Sequence, residues 1–247
     1  MKYAIGCLLF LALRCGGSSP HKAQTEKPGG AGPVVAELKT EDTGTAPSDT
    51  VAENRAPAPS PAPPDYDTAA WAEIIRLDPT ILLDLRYATA NNFVKEKMYD
   101  CPRCFLRPEV ARALLEAQRD LQKQGLGLKM YDCYRPRPIQ WKLWNKVPDP
   151  RYVADPRKGS MHNRGMAVDL TIVDAEGKEL DMGTDFDYFG KEAYHSYTDH
   201  PETVLGNRKL LVETLAAHHF RSTSTEWWHY SYIPKTFPLD DWIWKCK

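Results

Sequence analysis

Apolar positions recur with two different periods in the part of the chain that follows residue 65. Four segments show the alternation or the short β-branched and aromatic run that is typical of strands. They are TILLDLRYA (80–88), LGLKMYDCY (126–134), MAVDLTIV (166–173) and WHYSYI (228–233). These patterns predict four strands.

Two other segments carry the helical period. RPEVARALLEAQRDLQKQG (107–125) places apolar residues three, four, seven and eleven positions after Val110, so they share one face. Pro108 suits its first turn and Gly125 suits its end. NRKLLVETLAAHHF (207–220) predicts a second helix. Because strands and helices do not alternate regularly, we expect an α+β domain with a mostly antiparallel central sheet flanked by helices.

The first residues differ from the rest of the chain. Lys2 precedes the apolar run Tyr3–Leu13, which is too short to span a bilayer as a helix. We therefore interpret residues 1–15 as an export signal. Cys15 followed by GGSS resembles a bacterial lipidation site and predicts a lipid-anchored protein, although Arg14 departs from the small residue usual there. Plain secretion and a buried N-terminal helix are the alternatives.

Residues 16–65 are rich in Pro, Ala and Gly and include the run APAPSPAPPD. Such a segment buries too little apolar surface to offset the entropy lost on ordering. It predicts a disordered linker that tethers a folded domain at residues 66–247. A linker without a role is the alternative.

Composition supports a folded domain after the linker. Hydrophobic residues make up 42% of the chain, and all 7 Trp and all but one of the 12 Tyr follow residue 65. The formal net charge of -1 leaves no basic footprint for nucleic acid.

Four cysteines belong to the predicted domain: Cys101, Cys104, Cys133 and Cys246. An even number in an exported chain favours disulfides, and we expect two structural bridges of open connectivity. The CPRC motif could instead be half of a zinc knuckle, but the chain has no second CxxC.

The stretch SMHNRGMAVDL (160–170) contains the candidate chemistry. His162 and Asp169 could be a satisfied polar pair in the core, or two of the three protein ligands of a catalytic metal. His229 is the candidate third ligand, and Glu226 lies three residues before it. A carboxylate beside a metal is what hydrolysis by an activated water requires.

These motifs together resemble those of a known family. SMHNRGMAVD matches the pattern S-x-H-x-x-G-x-A-x-D, EWWH matches E-x-x-H, and YDCYRP (131–136) is similar to a third motif that ends in Tyr-Arg-Pro. LRYATANNF (85–93) and MGTDFD (182–187) also resemble family segments. The family is that of the zinc D-alanyl-D-alanine dipeptidases of the VanX type, which share a fold group with D-Ala-D-Ala carboxypeptidases and the hedgehog signalling domain.

The resemblance implies one catalytic Zn²⁺ held by His162, Asp169 and His229. It further implies that Glu226 is the general base and acid and that Arg135 stabilises the oxyanion of the tetrahedral intermediate.

Substrate recognition follows from the same resemblance. Asp187 would lie near the free amino group of the substrate, with Tyr99 helping there, and Ser160 would contact the substrate. A carboxylate at the amine end favours binding of a short peptide with a free N-terminus.

The function implied is hydrolysis of the D-Ala-D-Ala dipeptide in the bacterial cell envelope, in the periplasm, for D-alanine salvage or wall turnover. Peptidoglycan-derived peptides are the other candidate partners, because a D,D- or L,D-carboxypeptidase acting on stem peptides is the main alternative. A zinc-bearing binding module without activity is a third. The tether and the extra cysteines depart from the dipeptidase pattern and put substrate length in question.

Overall fold

The structure is a computed structural model that describes residues 62–246. The predicted export signal at 1–15, with Cys15, and the predicted linker up to residue 61 lie outside the described residues. Within residues 62–246, no helix combines the length and the apolar character needed to cross a membrane.

Seven strands and four α-helices are formed by residues 62–246. The strands are β1 (Ala72–Glu73), β2 (Leu82–Leu83), β3 (Phe105–Leu106), β4 (Gly127–Asp132), β5 (Ala167–Val173), β6 (Phe220–Ser222) and β7 (His229–Tyr232). The helices are α1 (Ile74–Leu77), α2 (Pro108–Gln122), α3 (Arg137–Lys146) and α4 (Glu202–Ala217). Short 3₁₀ turns occur at Arg86–Ala88, His162–Arg164 and Lys191–Ala193.

The main sheet has five strands in the order β2-β4-β5-β7-β6. Only β2 and β4 run parallel, and the other neighbours are antiparallel. Every residue of β5 is buried, as expected for a central strand covered on both faces. β1 and β3 form a separate two-stranded antiparallel sheet. The predicted α+β class with a mostly antiparallel sheet is confirmed.

The helix predicted at 107–125 is confirmed as α2, whose buried face includes Val110, Leu114 and Leu121. Pro108 stands at its first position, where a missing N–H costs nothing. Gly125 follows the helix with a φ of 73°, a left-handed conformation that glycine adopts without steric cost.

The strand predicted at 80–88 is largely wrong. Only Leu82 and Leu83 form ladder pairs with β4, and Arg86–Ala88 turns into a 3₁₀ helix. The turn is held locally, because Arg86 Nε donates to Asp84 Oδ2 at 2.6 Å. It directs the buried side chain of Tyr87 into the core instead of along the sheet.

Five elements escaped prediction: the short elements β1, α1 and β3, helix α3 and strand β6. Helix α3 starts at Arg137, inside the proline-rich RPRP (135–138), because prolines at the cap and in the first turn are compatible with a helix start. The second helix, predicted at 207–220, runs at Glu202–Ala217, and Phe220 belongs to strand β6 instead. His219 adopts a φ of 68°, so the chain leaves the helix there and re-enters the sheet.

The four domain cysteines form two disulfides, as expected, and CPRC is not a zinc knuckle. Cys101 is joined to Cys246, and Cys104 is joined to Cys133. The first bridge fastens the C-terminal segment, in which Trp242 stacks on Trp71.

Candidate metal centre and active site

Three polar residues form a row across the middle of the sheet. Asp169 of β5 is paired with Asp132 of β4 on one side and with His229 of β7 on the other. Directly opposed residues of antiparallel strands project on the same face, so the register itself brings these side chains together. A register irregularity between Met130 and Asp132 marks a bulge in β4 just before this row.

His162 reaches the row from the loop before β5. Its 3₁₀ turn ends at Gly165, which has a φ of 69° and lets the chain turn sharply into the strand. A Cβ at Gly165 would meet a ring carbon of Trp71 at 2.6 Å, so the site requires glycine on steric grounds as well.

His162, Asp169 and His229 converge on one point. Asp169 Oδ2 lies 3.2 Å from His162 Nε2, and Asp169 Oδ1 lies 2.9 Å from His229 Nδ1. The two histidine nitrogens are 3.1 Å apart. One ligand atom from each of the three residues falls within 4.8 Å of the others. The structure therefore assembles the predicted ligand set.

Neighbouring groups orient both imidazoles toward that point. His162 Nδ1 lies 2.7 Å from the carbonyl oxygen of Cys133, and a carbonyl can only accept, so Nδ1 carries the proton. His229 Nε2 lies 3.2 Å from Ser231 Oγ. With the outer nitrogens engaged, the inner nitrogens, His162 Nε2 and His229 Nδ1, face Asp169 and are the atoms available to a metal. Metal-binding histidines show this arrangement, in which the second ring nitrogen is fixed by a partner outside the metal. The residues therefore fit a metal ion with two nitrogen donors and one carboxylate donor.

The charge state of Asp169 is consistent with this role. Burial alone would raise its pKa, but His162 and His229 outweigh burial and hold the pKa of Asp169 below its usual range. Asp169 is thus an ionised oxygen donor beside two nitrogen donors.

Glu226 stands at the edge of this cluster. Its Oε2 lies 4.0 Å from His229 Nδ1, and its side chain is 34% exposed. Burial raises the pKa of Glu226 above its usual value, although His229 opposes the shift. Glu226 also lines an open cleft of about 340 Å³, whose other walls are Arg151, Tyr152, Tyr188, Phe189, Tyr194 and Thr225.

Arg135 lies beneath the cluster in a fixed orientation. Its Nε donates to Asp132 Oδ2 at 2.9 Å, and its Nη1 donates to Gln140 Oε1 at 3.1 Å. Its guanidinium carbon lies 4.8 Å from the ring centre of Tyr87. Nη2 lies 3.8 Å from Asp169 Oδ2, so the positive charge borders the candidate metal site.

Asp187 faces the same space with its carboxylate partly buried and its backbone at a φ of 58°. Burial raises the pKa of Asp187 well above its usual range, and nearby Asp169 and Glu226 add to the shift. Tyr87 donates a hydrogen bond to Asp187 Oδ2 at 3.0 Å.

The tyrosine that contacts Asp187 is therefore Tyr87 and not Tyr99, whose predicted part in substrate binding stays a prediction. Tyr99 is buried and donates to Asp132 Oδ1 at 2.7 Å, so it supports Arg135 through Asp132. Tyr87 belongs to LRYATANNF, the segment that resembles the family. The resemblance of that segment to the family pointed to Tyr87, but its alternating pattern predicted a strand.

Ser160 lies at the start of the His162 turn, where its Oγ accepts from the backbone N–H of Asn163 at 3.3 Å. Its backbone N–H donates to Asn163 Oδ1 at 2.8 Å, which closes the turn. Trp227 and Trp228, the two tryptophans of EWWH, are both buried in the core.

Two nitrogen donors and a carboxylate donor around one point, with a second carboxylate and a fixed arginine beside them, define the class of the metallopeptidases. Comparison with known proteins agrees. The family described as D-ala-D-ala dipeptidase, Peptidase_M15, matches residues 69–245, and the chain belongs to this family.

Two relatives have names that agree with this family. The D-alanyl-D-alanine dipeptidase of Escherichia coli (strain K12) is 37% identical over 175 residues, which cover 70% of this chain and 90% of that protein. The enzyme of the same name from Enterococcus faecalis (strain ATCC 700802 / V583) is 30% identical over 176 residues, covering 63% of this chain and 87% of that protein. A solved vancomycin resistance D,D-pentapeptidase in complex with Zn(II) is 16% identical, covers 53% of this chain and 74% of its own, and has a TM-score of 0.37.

Proposed function

We propose that this protein is a zinc-dependent dipeptidase that hydrolyses D-alanyl-D-alanine. The observation that carries the proposal is the placement of Asp187. A partly buried carboxylate with a raised pKa stands beside a hydrolytic cluster, where the ammonium group of a short peptide would neutralise it. The names of the relatives supply the particular dipeptide.

Zinc fits the donor set, because it accepts histidine nitrogen and carboxylate oxygen and in catalytic sites has three protein ligands. His162, Asp169 and His229 would hold it. When bound, the ion would lower the pKa of a water and polarise the scissile carbonyl.

The protein's own side chains would carry the remaining chemistry. Glu226 takes the proton of the attacking water and returns it to the leaving amine of the second alanine. Arg135, held by Asp132 and Gln140, directs its positive charge at the oxygen that becomes negative in the transition state. Because its geometry is fixed before the substrate arrives, little reorganisation is needed during the reaction.

Recognition of the amine would fall to Asp187 and Tyr87. The tyrosine hydrogen bond holds the carboxylate in place, and an ammonium group arriving at Asp187 forms a charge-assisted contact. A peptide extended at its N-terminus lacks this charge. Ser160, next to the His162 turn, would contact the substrate on the side of the metal ligands.

The first test compares free D-alanine release by the zinc-loaded protein from D-Ala-D-Ala, N-acetyl-D-Ala-D-Ala and a stem pentapeptide ending in D-Ala-D-Ala. We expect turnover of the free dipeptide, abolished by a chelator, and little release from the other two. Release mainly from the pentapeptide would make the protein a carboxypeptidase.

The carboxypeptidase alternative has one observation in its favour. The cleft beside Glu226 is open and measures about 340 Å³, within the range that drug-sized ligands fill. This is more room than a dipeptide of two alanines needs.

Asp187→Asn separates the two functions. The amide keeps the shape and tolerates the left-handed backbone, but it loses the charge. We expect KM for D-Ala-D-Ala to rise at least tenfold, while any turnover of the acetylated dipeptide stays the same. Asp185→Asn is the matched control, because Asp185 lies two residues away with its side chain 72% exposed. Equal KM values in wild type and Asp187→Asn would remove Asp187 from substrate binding.

The site of action would be the periplasmic side of the bacterial envelope, with the domain anchored through lipid on Cys15. The N-terminal sequence supports this assignment, and the two disulfides suit an oxidising compartment. D-alanine released there would serve salvage or wall turnover. Incorporation of a clickable fatty acid by the full chain tests the anchor. Cys15→Ala should abolish labelling while Cys7→Ala retains it, and labelling of Cys15→Ala would refute the anchor.

A further inference from the structure

The disulfide between Cys104 and Cys133 lies directly behind the candidate metal site. The carbonyl oxygen of Cys133 is the group that accepts from His162 Nδ1 at 2.7 Å. Cys133 follows Asp132, the residue that orients Arg135. A single residue therefore provides a covalent crosslink through its side chain and orients a metal ligand through its backbone.

The other end of the bridge is anchored in the second sheet. Cys104 precedes β3, and its carbonyl accepts from the backbone N–H of Ile74 at 3.0 Å. Next to the bridge, the backbone N–H of Tyr134 donates to the carbonyl of Phe105 at 2.9 Å. Both cysteines are fully buried. The bridge thus fastens the end of β4, where the strand leaves the main sheet, to the two-stranded sheet.

We infer that Cys104 and Cys133 are positioning residues: their crosslink fixes the carbonyl that orients His162, so that tight metal binding requires the closed disulfide. The inference rests on the proposed metal site, but not on the proposed substrate. Groups that orient metal ligands from outside typically change metal affinity by about 10- to 100-fold when they are altered. Opening the bridge leaves the carbonyl in place chemically but releases the backbone that aims it.

The second disulfide provides a matched control within the same chain. The bridge between Cys101 and Cys246 fastens the C-terminal segment, and its described contacts include none with His162, Asp169 or His229. That segment has other attachments: Arg137 pairs with Asp241 at 2.7 Å, and Tyr134 donates to the carbonyl of Trp242 at 2.9 Å. Loss of this bridge should therefore leave the metal site in place.

The experiment measures Zn²⁺ affinity by competition with a chromophoric chelator in three full-length proteins. These are wild type, Cys104→Ala/Cys133→Ala and Cys101→Ala/Cys246→Ala. Alanine is chosen because free thiols would themselves bind zinc. We expect affinity to fall at least tenfold in the first variant and to change less than threefold in the second. Equal affinities in wild type and Cys104→Ala/Cys133→Ala would overturn the inference, as would equal losses in both variants.

A spectroscopic measurement distinguishes the loss of the His162 orientation from a general loss of rigidity in the fold. In the metal-free wild type, long-range ¹H–¹⁵N correlation should show His162 protonated on Nδ1. In Cys104→Ala/Cys133→Ala we expect a mixture of both tautomers, while the His218 signal stays unchanged. A retained Nδ1 tautomer with weakened metal binding would refute the proposed route through the carbonyl.

Should the alanine pair fail to fold, reduction of Cys101→Ala/Cys246→Ala opens only the remaining bridge. Cobalt(II) then replaces zinc as the probe, because ligation by the released thiolates would appear as a near-ultraviolet band. Unchanged cobalt affinity without that band would overturn the inference. The readout is metal affinity, so failure of the dipeptidase proposal would appear separately, as metal-loaded protein that does not cleave D-Ala-D-Ala.

Discussion

At Asp187, the requirement of substrate binding opposes the stability of the fold. In the metal-free protein, burial raises its pKa well above the usual value, so at neutral pH the fold carries the cost of a partly buried carboxylate. The folded state binds this proton more tightly than the unfolded state does. Stability contributed by the protonated form is therefore present at low pH and is lost as pH rises through the folded-state pKa.

Asp187→Asn should remove that pH dependence. Below the unfolded-state pKa of about 3.9 the variant and wild type should be equally stable, and the variant should gain on wild type as pH rises above it. Urea unfolding of metal-free protein between pH 4 and pH 8 measures the difference. A constant difference for Asp187→Asn would mean that its pKa is not raised.

A second prediction at the level of single residues concerns Glu226. Glu226→Gln keeps the size of the side chain but cannot accept a proton, so kcat should fall by about 10²- to 10⁴-fold. Bound zinc should stay at one per chain, because Glu226 Oε2 approaches the ligand His229 only to 4.0 Å. Metal analysis and single-turnover assays check both statements. Glu213→Gln, on the exposed face of α4, is the control, and wild-type kcat in Glu226→Gln would exclude the base.

At the scale of elements, the turn before β5 depends on Gly165. Gly165→Ala imposes a left-handed backbone on alanine, which costs about 1–2 kcal/mol, and also presses the new Cβ against Trp71. Overpacking of this kind typically adds about 1–3 kcal/mol. Gly125→Ala is the matched control, because Gly125 has a φ of 73° but no atom within 4 Å of an added Cβ.

We expect Gly165→Ala to lose more stability than Gly125→Ala and to weaken zinc binding, since the turn carries His162. Chemical unfolding and metal titration of both variants measure this. Equal losses in the two variants would show that Trp71 yields to the methyl group at no cost.

These elements also show which parts of the site and the fold could be predicted from the sequence. His162, Asp169, His229 and Glu226 could be predicted because motif spacing is a local property that the strands then preserve. Tyr87 could not be chosen over Tyr99, because the choice depends on a 3₁₀ turn held by the contact between Arg86 and Asp84. The start of α3 was hidden by prolines that usually end regular structure but here begin it.

At the scale of the molecule, the two disulfides should stabilise to different extents. They close loops with sequence separations of 145 and 29 residues. In the chain-entropy model, restriction of the unfolded chain by these loops contributes about 5 kcal/mol and about 3.6 kcal/mol.

Cys101→Ala/Cys246→Ala should therefore lower the free energy of unfolding more than Cys104→Ala/Cys133→Ala does. Guanidinium unfolding of both variants gives the two values. We expect the losses of zinc affinity to have the opposite order. The disulfide that contributes more to stability should contribute less to metal binding. The same rank order in both measurements would contradict this division between the bridges.

The row formed by Asp132, Asp169 and His229 makes catalysis dependent on strand alignment. If β7 slipped by one residue along β5, His229 would point to the opposite face of the sheet and the third ligand would be lost. A collapsed chain with misaligned strands would thus be inert toward peptides even with its helices formed. Hydrolysis therefore requires β7 to be paired with β5 in the native register. The reaction itself reports that the sheet has been assembled in register.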